Sequence, residues 1–144
     1  MTLGKAVSKV SPLNAFDKAL MEAGIAQCNL VPVSSILPKG AVEIDYEDIP
    51  PGTITFTVMA RADGFSGELI GAGIGIAKGD DYGLIAEAFG NKSDVELKEE
   101  LKRKLEEMAS ARGMEIKEVK LLADCMKVEE GYYGCVIAAV ILLT

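Results

Sequence analysis

The chain has 144 residues, of which 49% are hydrophobic and 26% charged, and this composition predicts a single globular domain with one core. Its 22 acidic and 15 basic residues give a net charge of -7, which disfavours binding to a nucleic-acid backbone and suits a small cationic substrate. Because the sequence contains no histidine, Ser-His-Asp and Cys-His catalytic arrangements are excluded.

The apolar runs and the cysteines bear on where the protein resides. The first ten residues hold no apolar segment of signal-peptide length, and no other run is long enough to span a membrane. Cys28, Cys125 and Cys135 are scattered, without Cys-x-x-Cys spacing. This pattern favours free thiols over a disulfide framework or a zinc site. We therefore expect a cytoplasmic protein that binds no metal.

The first half of the chain is predicted to contain a strand, a helix and two further strands. Ser11 as a cap, Pro12 in the first turn and Gly24 at the end are typical of a helix over residues 11–24. Pro32 indicates that the next strand lies at a sheet edge or has an irregularity. The strands are predicted over residues 2–10, 28–37 and 53–60, with a loop over 38–52.

Asp17 is unusual in this helix because it falls within a predicted apolar face made by Leu13, Phe16, Leu20 and Ala23. A carboxylate there must reach the edge of the face or meet a cationic partner, since burying it unpaired is costly. The alternative is that this edge of the helix is simply exposed.

The second half is predicted to contain two helices and three strands. The last strand is apolar on both faces and should lie inside a sheet. The long helix has a capping box and a buried leucine stripe that continues to Met108, and the Glu and Lys residues around the stripe are predicted to be solvated. The strands are predicted over 69–77, 116–128 and 133–143, a short helix over 81–89 and the long helix over 93–113.

Gly71, Gly73 and Gly75 alternate with isoleucine in strand register, which leaves one strand face almost bare. A dinucleotide-binding loop would need a helix that opens directly on the glycines, and Lys78 is not followed by the Ser or Thr of a P-loop. The pattern therefore favours close packing against this face over a phosphate site.

Glu87 is the only charged residue in the segment 82–90. On the predicted short helix it points away from Leu84, Ile85 and Phe89, so only a neighbouring element or subunit could bury it. A solvent-facing glutamate is the simpler interpretation.

Ser34 and Ser35 are adjacent in the middle of an apolar segment, NLVPVSSILPKG. Composition alone favours local hydrogen bonds from both hydroxyls at a strand end. Taken together, the two halves of the chain share the order strand, helix, strand, strand. Helices outside two packed sheets would bury the apolar faces of both halves, so we predict an α/β (α+β) sandwich.

Four segments occur in an order and at spacings that resemble the pyruvoyl-dependent arginine decarboxylases: PLNAFD (12–17), NLVPVSSI (29–36), GLIAEAFG (83–90) and YYGCVIAAV (132–140). The resemblance covers nearly the whole chain from about residue 11. It implies a four-layer αββα sandwich built from two βαββ units. It also implies a homotrimer, or a dimer of trimers, with active sites between subunits.

The resemblance further implies that the single domain, 1–144, cleaves itself between Ser34 and Ser35 into a β chain (1–34) and an α chain (35–144). Ser35 would become a covalent pyruvoyl group, which replaces pyridoxal phosphate, and no metal takes part. L-Arginine would bind to that group as a Schiff base and leave as agmatine and CO2, a step in polyamine biosynthesis.

Three further residues match functional positions of the family. Asn29 would hydrogen-bond the oxyanion during self-cleavage, Glu87 would return a proton to the substrate Cα, and Asp17 would pair with the substrate guanidinium. Cys28 is either a pocket residue or a small buried one. The alternatives are a decarboxylase of another amino acid and an unprocessed homologue with a structural or regulatory role.

Overall fold

The computed structural model describes residues 1–45 and 47–143, which form two helices and eight strands. No helix in these two ranges is long and apolar enough to cross a lipid bilayer. In chain order the elements are β1 (Thr2–Ser8), α1 (Pro12–Glu22), β2 (Asn29–Pro32), β3 (Ile36–Leu37), β4 (Ile54–Phe65), β5 (Leu69–Lys78), β6 (Gly83–Gly90), α2 (Asp94–Arg112), β7 (Glu118–Lys127) and β8 (Tyr133–Leu142).

The strands form two four-stranded sheets that pack face to face between the helices. Sheet A has the order β1-β8-β4-β2, and sheet B has the order β3-β6-β5-β7. The core between them includes Val58 and Val136 of sheet A and Ile74 of sheet B. Ala19 of α1 is buried against sheet A, and Leu101 of α2 against sheet B. The layers are thus α1, sheet A, sheet B and α2, and the predicted α+β sandwich is confirmed.

Two predictions about strands are confirmed by the sheet order. β8, which is apolar on both faces, lies inside sheet A between β1 and β4. β2, which ends at Pro32, lies at the edge of the same sheet. β1 pairs antiparallel with β8.

Two other element predictions are wrong. The segment predicted as a short helix over 81–89 is strand β6, paired with β5 along its whole length. Sheet pairing outweighs the helical propensity of its Leu and Ala residues. The predicted strand 28–37 is in fact two strands, since β2 runs parallel to β4 in sheet A and β3 runs antiparallel to β6 in sheet B.

The buried face of α1 also differs from the prediction. Ala15 and Ala19 are buried, whereas Leu13 is 70% exposed. Small side chains face the sheet because β1 approaches closely: a Cβ atom at Gly4 would lie 2.0 Å from the Ala19 carbonyl oxygen. The other residues of the predicted face are only partly buried, and they are Phe16, Leu20 and Ala23.

Helix α2 packs on the glycine face of β5. A Cβ atom at Gly71, Gly73 or Gly75 would lie 2.7, 2.9 or 2.9 Å from a leucine methyl group of that helix. The predicted close packing is therefore confirmed, and the contacting element is a helix. Leu97, Leu101 and Leu105 are buried as predicted, while Met108 is only half-buried and Ala109 completes the stripe.

Candidate active site

Ser34 and Ser35 lie where the chain passes from one sheet to the other. The Val33 amide donates to the Thr57 carbonyl in sheet A at 2.9 Å. The Ser35 carbonyl accepts from the Ile85 amide in sheet B at 2.7 Å. Ser34 is exposed and Ser35 is half-buried in a bend. The Ser34–Ser35 peptide bond therefore joins two anchored points that belong to different sheets.

This placement suits attack by a side chain on its own backbone. In a regular strand the hydrogen bonds of the sheet ladder hold the backbone of each residue in place. A bend between two fixed points leaves the Ser35 hydroxyl next to the Ser34 acyl group and free to approach it. Neither serine has a positive φ, so the approach does not depend on a left-handed backbone.

Glu87 lies on strand β6, and its side chain points to the opposite side from the one that the predicted helix implied. Ala86 and Ala88 are buried against α2, whereas Ile85 lies in the core between the sheets. Because strand side chains alternate, Glu87 shares the inner face of sheet B with Ile85 and Phe89. The prediction that Glu87 points away from those two residues is therefore wrong.

The protonation of Glu87 is shifted by its surroundings. Glu87 is half-buried, and this burial raises the pKa of its carboxyl above the usual value. The nearby ammonium of Lys104 acts in the opposite direction and lowers that pKa. Desolvation is the larger effect, so the protonated form of Glu87 persists to higher pH than that of an exposed glutamate.

A cleft with a volume of about 420 Å³ brings Ser35 and Glu87 together. Its other wall is the C-terminal half of α2, which contributes Lys104, Glu107 and Arg112. A volume of several hundred Å³ is enough for a small amino acid. The residues that line the cleft thus include Ser35 at the sheet junction, Glu87 with its raised pKa, and the cationic residues Lys104 and Arg112.

Asn29 lies at the far end of β2 from the serines. Its amide nitrogen donates to the Thr53 carbonyl at 2.9 Å, and its side-chain Nδ2 donates to the Gly52 carbonyl at 3.0 Å. An extended strand rises about 3.3 Å per residue, so Asn29 is about 13 Å from Val33. Within one chain, Asn29 does not line the cleft beside Ser35.

Asp17 is also away from that cleft. It is exposed on α1, one turn from both Leu13 and Met21, which are 70% and 63% exposed. Asp17 therefore does lie among apolar residues, as expected. In the single chain, however, this face of the helix is exposed to solvent. Asp17 and Asn29 both belong to the sheet A half of the molecule, whereas Glu87 belongs to sheet B.

Two observations concern residues that the sequence left open or passed over. Cys28 packs against the core between α1 and sheet A, as a small apolar side chain does. Lys104 was among the residues predicted to be merely solvated, yet its Nζ donates to the Glu87 carbonyl at 2.7 Å. No local sequence pattern indicates the contact between Lys104 and Glu87, because Glu87 lies on another element.

Comparisons with known proteins identify relatives of this chain. The family model described as pyruvoyl-dependent arginine decarboxylase matches residues 1–144. Curated proteins of that name are similar to the chain. The one from Methanopyrus kandleri is 37% identical over 130 residues, covering 90% of this chain and 85% of its own. Those from Methanococcus aeolicus and Pyrococcus furiosus are 38% identical (92% and 81% covered) and 34% identical (96% and 90% covered).

The sandwich fold and these matches define the class of the protein, which is an enzyme of the decarboxylase type. The chain belongs to the pyruvoyl-dependent arginine decarboxylase family, as its sequence motifs indicated. Both the recognition of the family and the expectation of an enzyme are thereby confirmed.

Proposed function

We propose that this protein is a self-processing enzyme that converts L-arginine to agmatine and CO2 for polyamine biosynthesis in the cytoplasm. One observation carries the proposal: the adjacent serines lie at the junction between the sheets, and the second of them shares a cleft with Glu87. In a chain of this family, that junction is the natural place for the pyruvoyl group to form.

Self-cleavage would begin when the Ser35 hydroxyl attacks the Ser34 carbonyl carbon. The C–N bond of the peptide breaks as the ester C–O bond forms, and the amine of residue 35 takes up a proton. β-Elimination then releases the Ser34 carboxylate and leaves dehydroalanine at position 35. Tautomerisation and hydrolysis consume one water, release ammonia and leave the pyruvoyl group. The products are the chains 1–34 and 35–144.

Decarboxylation would use the same cleft. The pyruvoyl group would supply an electron-accepting carbonyl to which the substrate α-amine could bind and which would stabilise the charge left when CO2 departs. Glu87, whose pKa is raised by burial, would return a proton to the substrate Cα. Asp17 would bind the guanidinium group through paired hydrogen bonds, which favours arginine over lysine.

Asp17 and Asn29 would meet the cleft of a neighbouring subunit in a homotrimer or a dimer of trimers. The exposed apolar residues along β2, β3 and the start of β4 support such an interface. Ile54 is 67% exposed, although it follows the alternation that places Val58 and Ala60 in the core. A contiguous apolar edge of this kind is typical of a covered surface. Its other members are Val31, Val33, Ile36 and Phe56.

Intact mass and arginine decarboxylation, measured on one preparation, test the proposal. We expect two chains, the larger beginning with a blocked residue 35, together with release of CO2 and agmatine from arginine. A single uncleaved chain without activity would indicate an unprocessed homologue. A cleaved protein that releases CO2 from another amino acid and not from arginine would overturn the substrate assignment.

The proposed interface has a separate test. Ile54→Glu places a charge on the apolar edge and should dissociate the assembly and abolish arginine turnover. Val95→Glu is the matched control, because Val95 is 61% exposed on α2 and lies outside this edge. Light scattering gives the assembly state. An Ile54→Glu variant that keeps both its size and its activity would exclude this edge as the interface.

A further inference from the structure

The edge of β6 next to Ser35 is only partly covered by a strand. β3 pairs with Gly83 and Leu84, and the Ile85 amide binds the Ser35 carbonyl. Alternate residues of an antiparallel strand direct their N–H and C=O groups to the same side. The Glu87 backbone groups therefore point toward the same edge as those of Ile85, at a position that β3 (Ile36–Leu37) does not reach.

Lys104 occupies this uncovered edge from α2. Its Nζ donates to the Glu87 carbonyl at 2.7 Å, which satisfies a backbone group that a longer β3 would have paired. The same ammonium forms an ion pair with Glu100 Oε2 at 2.7 Å. The other oxygen of Glu100 accepts from Lys92. The Glu100 side chain is only 19% exposed, so a largely buried carboxylate holds the Lys104 ammonium in place.

The charges around Glu87 come mainly from α2. That helix places Lys104, Glu107 and Arg112 around the cleft. On β5 the residue opposite Glu87 is Ile74, which is apolar. β4, which packs on β6 from sheet A, turns Val58, Ala60 and Ala62 toward the core. The charged residues of β4, Arg61 and Asp63, lie on the opposite face of the strand, toward α1, where Arg61 stacks on Phe16.

We propose that Lys104 is a positioning residue for the decarboxylation: it holds the β6 backbone at the Glu87 carbonyl and brings an ammonium group to the uncovered edge of β6 at Glu87. This inference rests on the proposed role of Glu87 as the proton donor. A fixed cation near a proton donor limits how high in pH the donor keeps its proton. Desolvation raises the pKa of Glu87, and Lys104 lowers it. Lys104 thus lowers the pH up to which Glu87 keeps its proton.

The test compares Lys104→Met with Lys104→Arg in the full-length processed enzyme. Loss of the cation in Lys104→Met should raise the pKa of Glu87, so that the alkaline limb of the kcat profile moves to higher pH. Lys104→Arg keeps a cation and a donor and should leave the limb in place. Lys102→Met, an exposed change on the same helix, is the control and should also leave it in place.

Carbon-13 NMR of the glutamate carboxyls, assigned with Glu87→Gln, gives a readout that does not depend on turnover. If the Glu87 titration is the same in Lys104→Met as in the parent enzyme, the inference is overturned. If that titration moves upward in Lys104→Met and not in the two other variants, the inference is supported. Failure of the proposed function is distinguishable, because the parent enzyme would then release no CO2 from arginine, and failure of the proton-donor role because Glu87→Gln would then keep full decarboxylase activity.

Discussion

The Ser35 carbonyl accepts a hydrogen bond from the Ile85 amide at 2.7 Å, and this bond ties the proposed start of the α chain to sheet B. On the other side of the proposed cleavage site, the Val33 amide is bonded to Thr57 in sheet A. Cleavage between the two serines would therefore leave both new chain ends anchored. The chain 1–34 would remain held by the β1–β8 and β2–β4 pairings, so we expect the two fragments to stay associated without denaturant.

The two serines should differ in their sensitivity to substitution. Ser35→Ala removes the attacking oxygen and should abolish self-cleavage, which leaves one chain on a denaturing gel and one intact mass. Ser34→Ala is the matched control: only the carbonyl of residue 34 reacts, and its exposed side chain is not needed, so cleavage should persist. Cleavage of Ser35→Ala at the same bond would refute the mechanism.

Asp17→Asn should impair arginine turnover and leave processing intact. The side chain is exposed on α1, so its loss should not disturb folding. A charged, paired hydrogen bond contributes about 1.5–3 kcal/mol, which corresponds to a fall in kcat/KM of about 10- to 150-fold. Steady-state agmatine formation measures the effect.

Glu22→Gln, on the same exposed helix, is the control for Asp17→Asn and should retain kcat/KM. The guanidinium assignment would be wrong if Asp17→Asn decarboxylated arginine at the parental rate. A variant that failed to cleave itself would contradict the separation of binding from processing.

The close packing of α2 on β5 should make Gly71 less tolerant of a side chain than Gly73. A Cβ atom at Gly71 would lie 2.7 Å from the Lys92 carbonyl oxygen, a backbone atom that moves only with its chain. A Cβ atom at Gly73 meets first a Leu101 methyl group at 2.9 Å, which can rotate. We expect Gly71→Ala to lower the free energy of unfolding by about 2–3 kcal/mol and Gly73→Ala by about 1 kcal/mol.

Chemical denaturation of the two glycine variants, both on the same strand, measures this difference. Equal losses, or a larger loss for Gly73→Ala, would show that the backbone oxygen of Lys92 is not the limiting contact.

Glu100→Gln should reduce stability in a pH-dependent way. Hydrogen bonds from Lys104 and Lys92 hold the pKa of the Glu100 carboxyl below its usual value of 4.5. A lowered pKa in the folded state gives stability that is present above pH 4.5 and lost as the pH falls through the folded-state pKa. Glu100→Gln should therefore cost about 1 kcal/mol at pH 7 and progressively less below pH 4.5.

Thermal unfolding of the Glu100→Gln variant at several pH values follows this change. Glu99→Gln, an exposed neighbour on α2, should differ little from the parent at any pH. A stability loss in Glu100→Gln that stayed constant down to low pH would contradict the electrostatic cause.

Features that depend on local chemistry were readable from the sequence. Ser11 caps α1 and Ser93 forms the capping box of α2. Pro32 marks an edge strand, and the run of apolar residues in β8 marks an inner one. The serine pair and the surrounding motifs identified the family, because each motif is a continuous segment of the chain.

The tertiary structure alone decided where these pieces lie. Residues 83–90 have the composition of a helix and become a strand because β5 pairs with them. The apolar segment 28–37 is divided into β2 and β3 because its first part pairs with β4 in sheet A and its last part pairs with β6 in sheet B. Lys104 reaches Glu87 only because α2 lies across sheet B. These arrangements are set by long-range pairing and packing, and for that reason a local residue pattern identified the adjacent serines but not the groups that surround them.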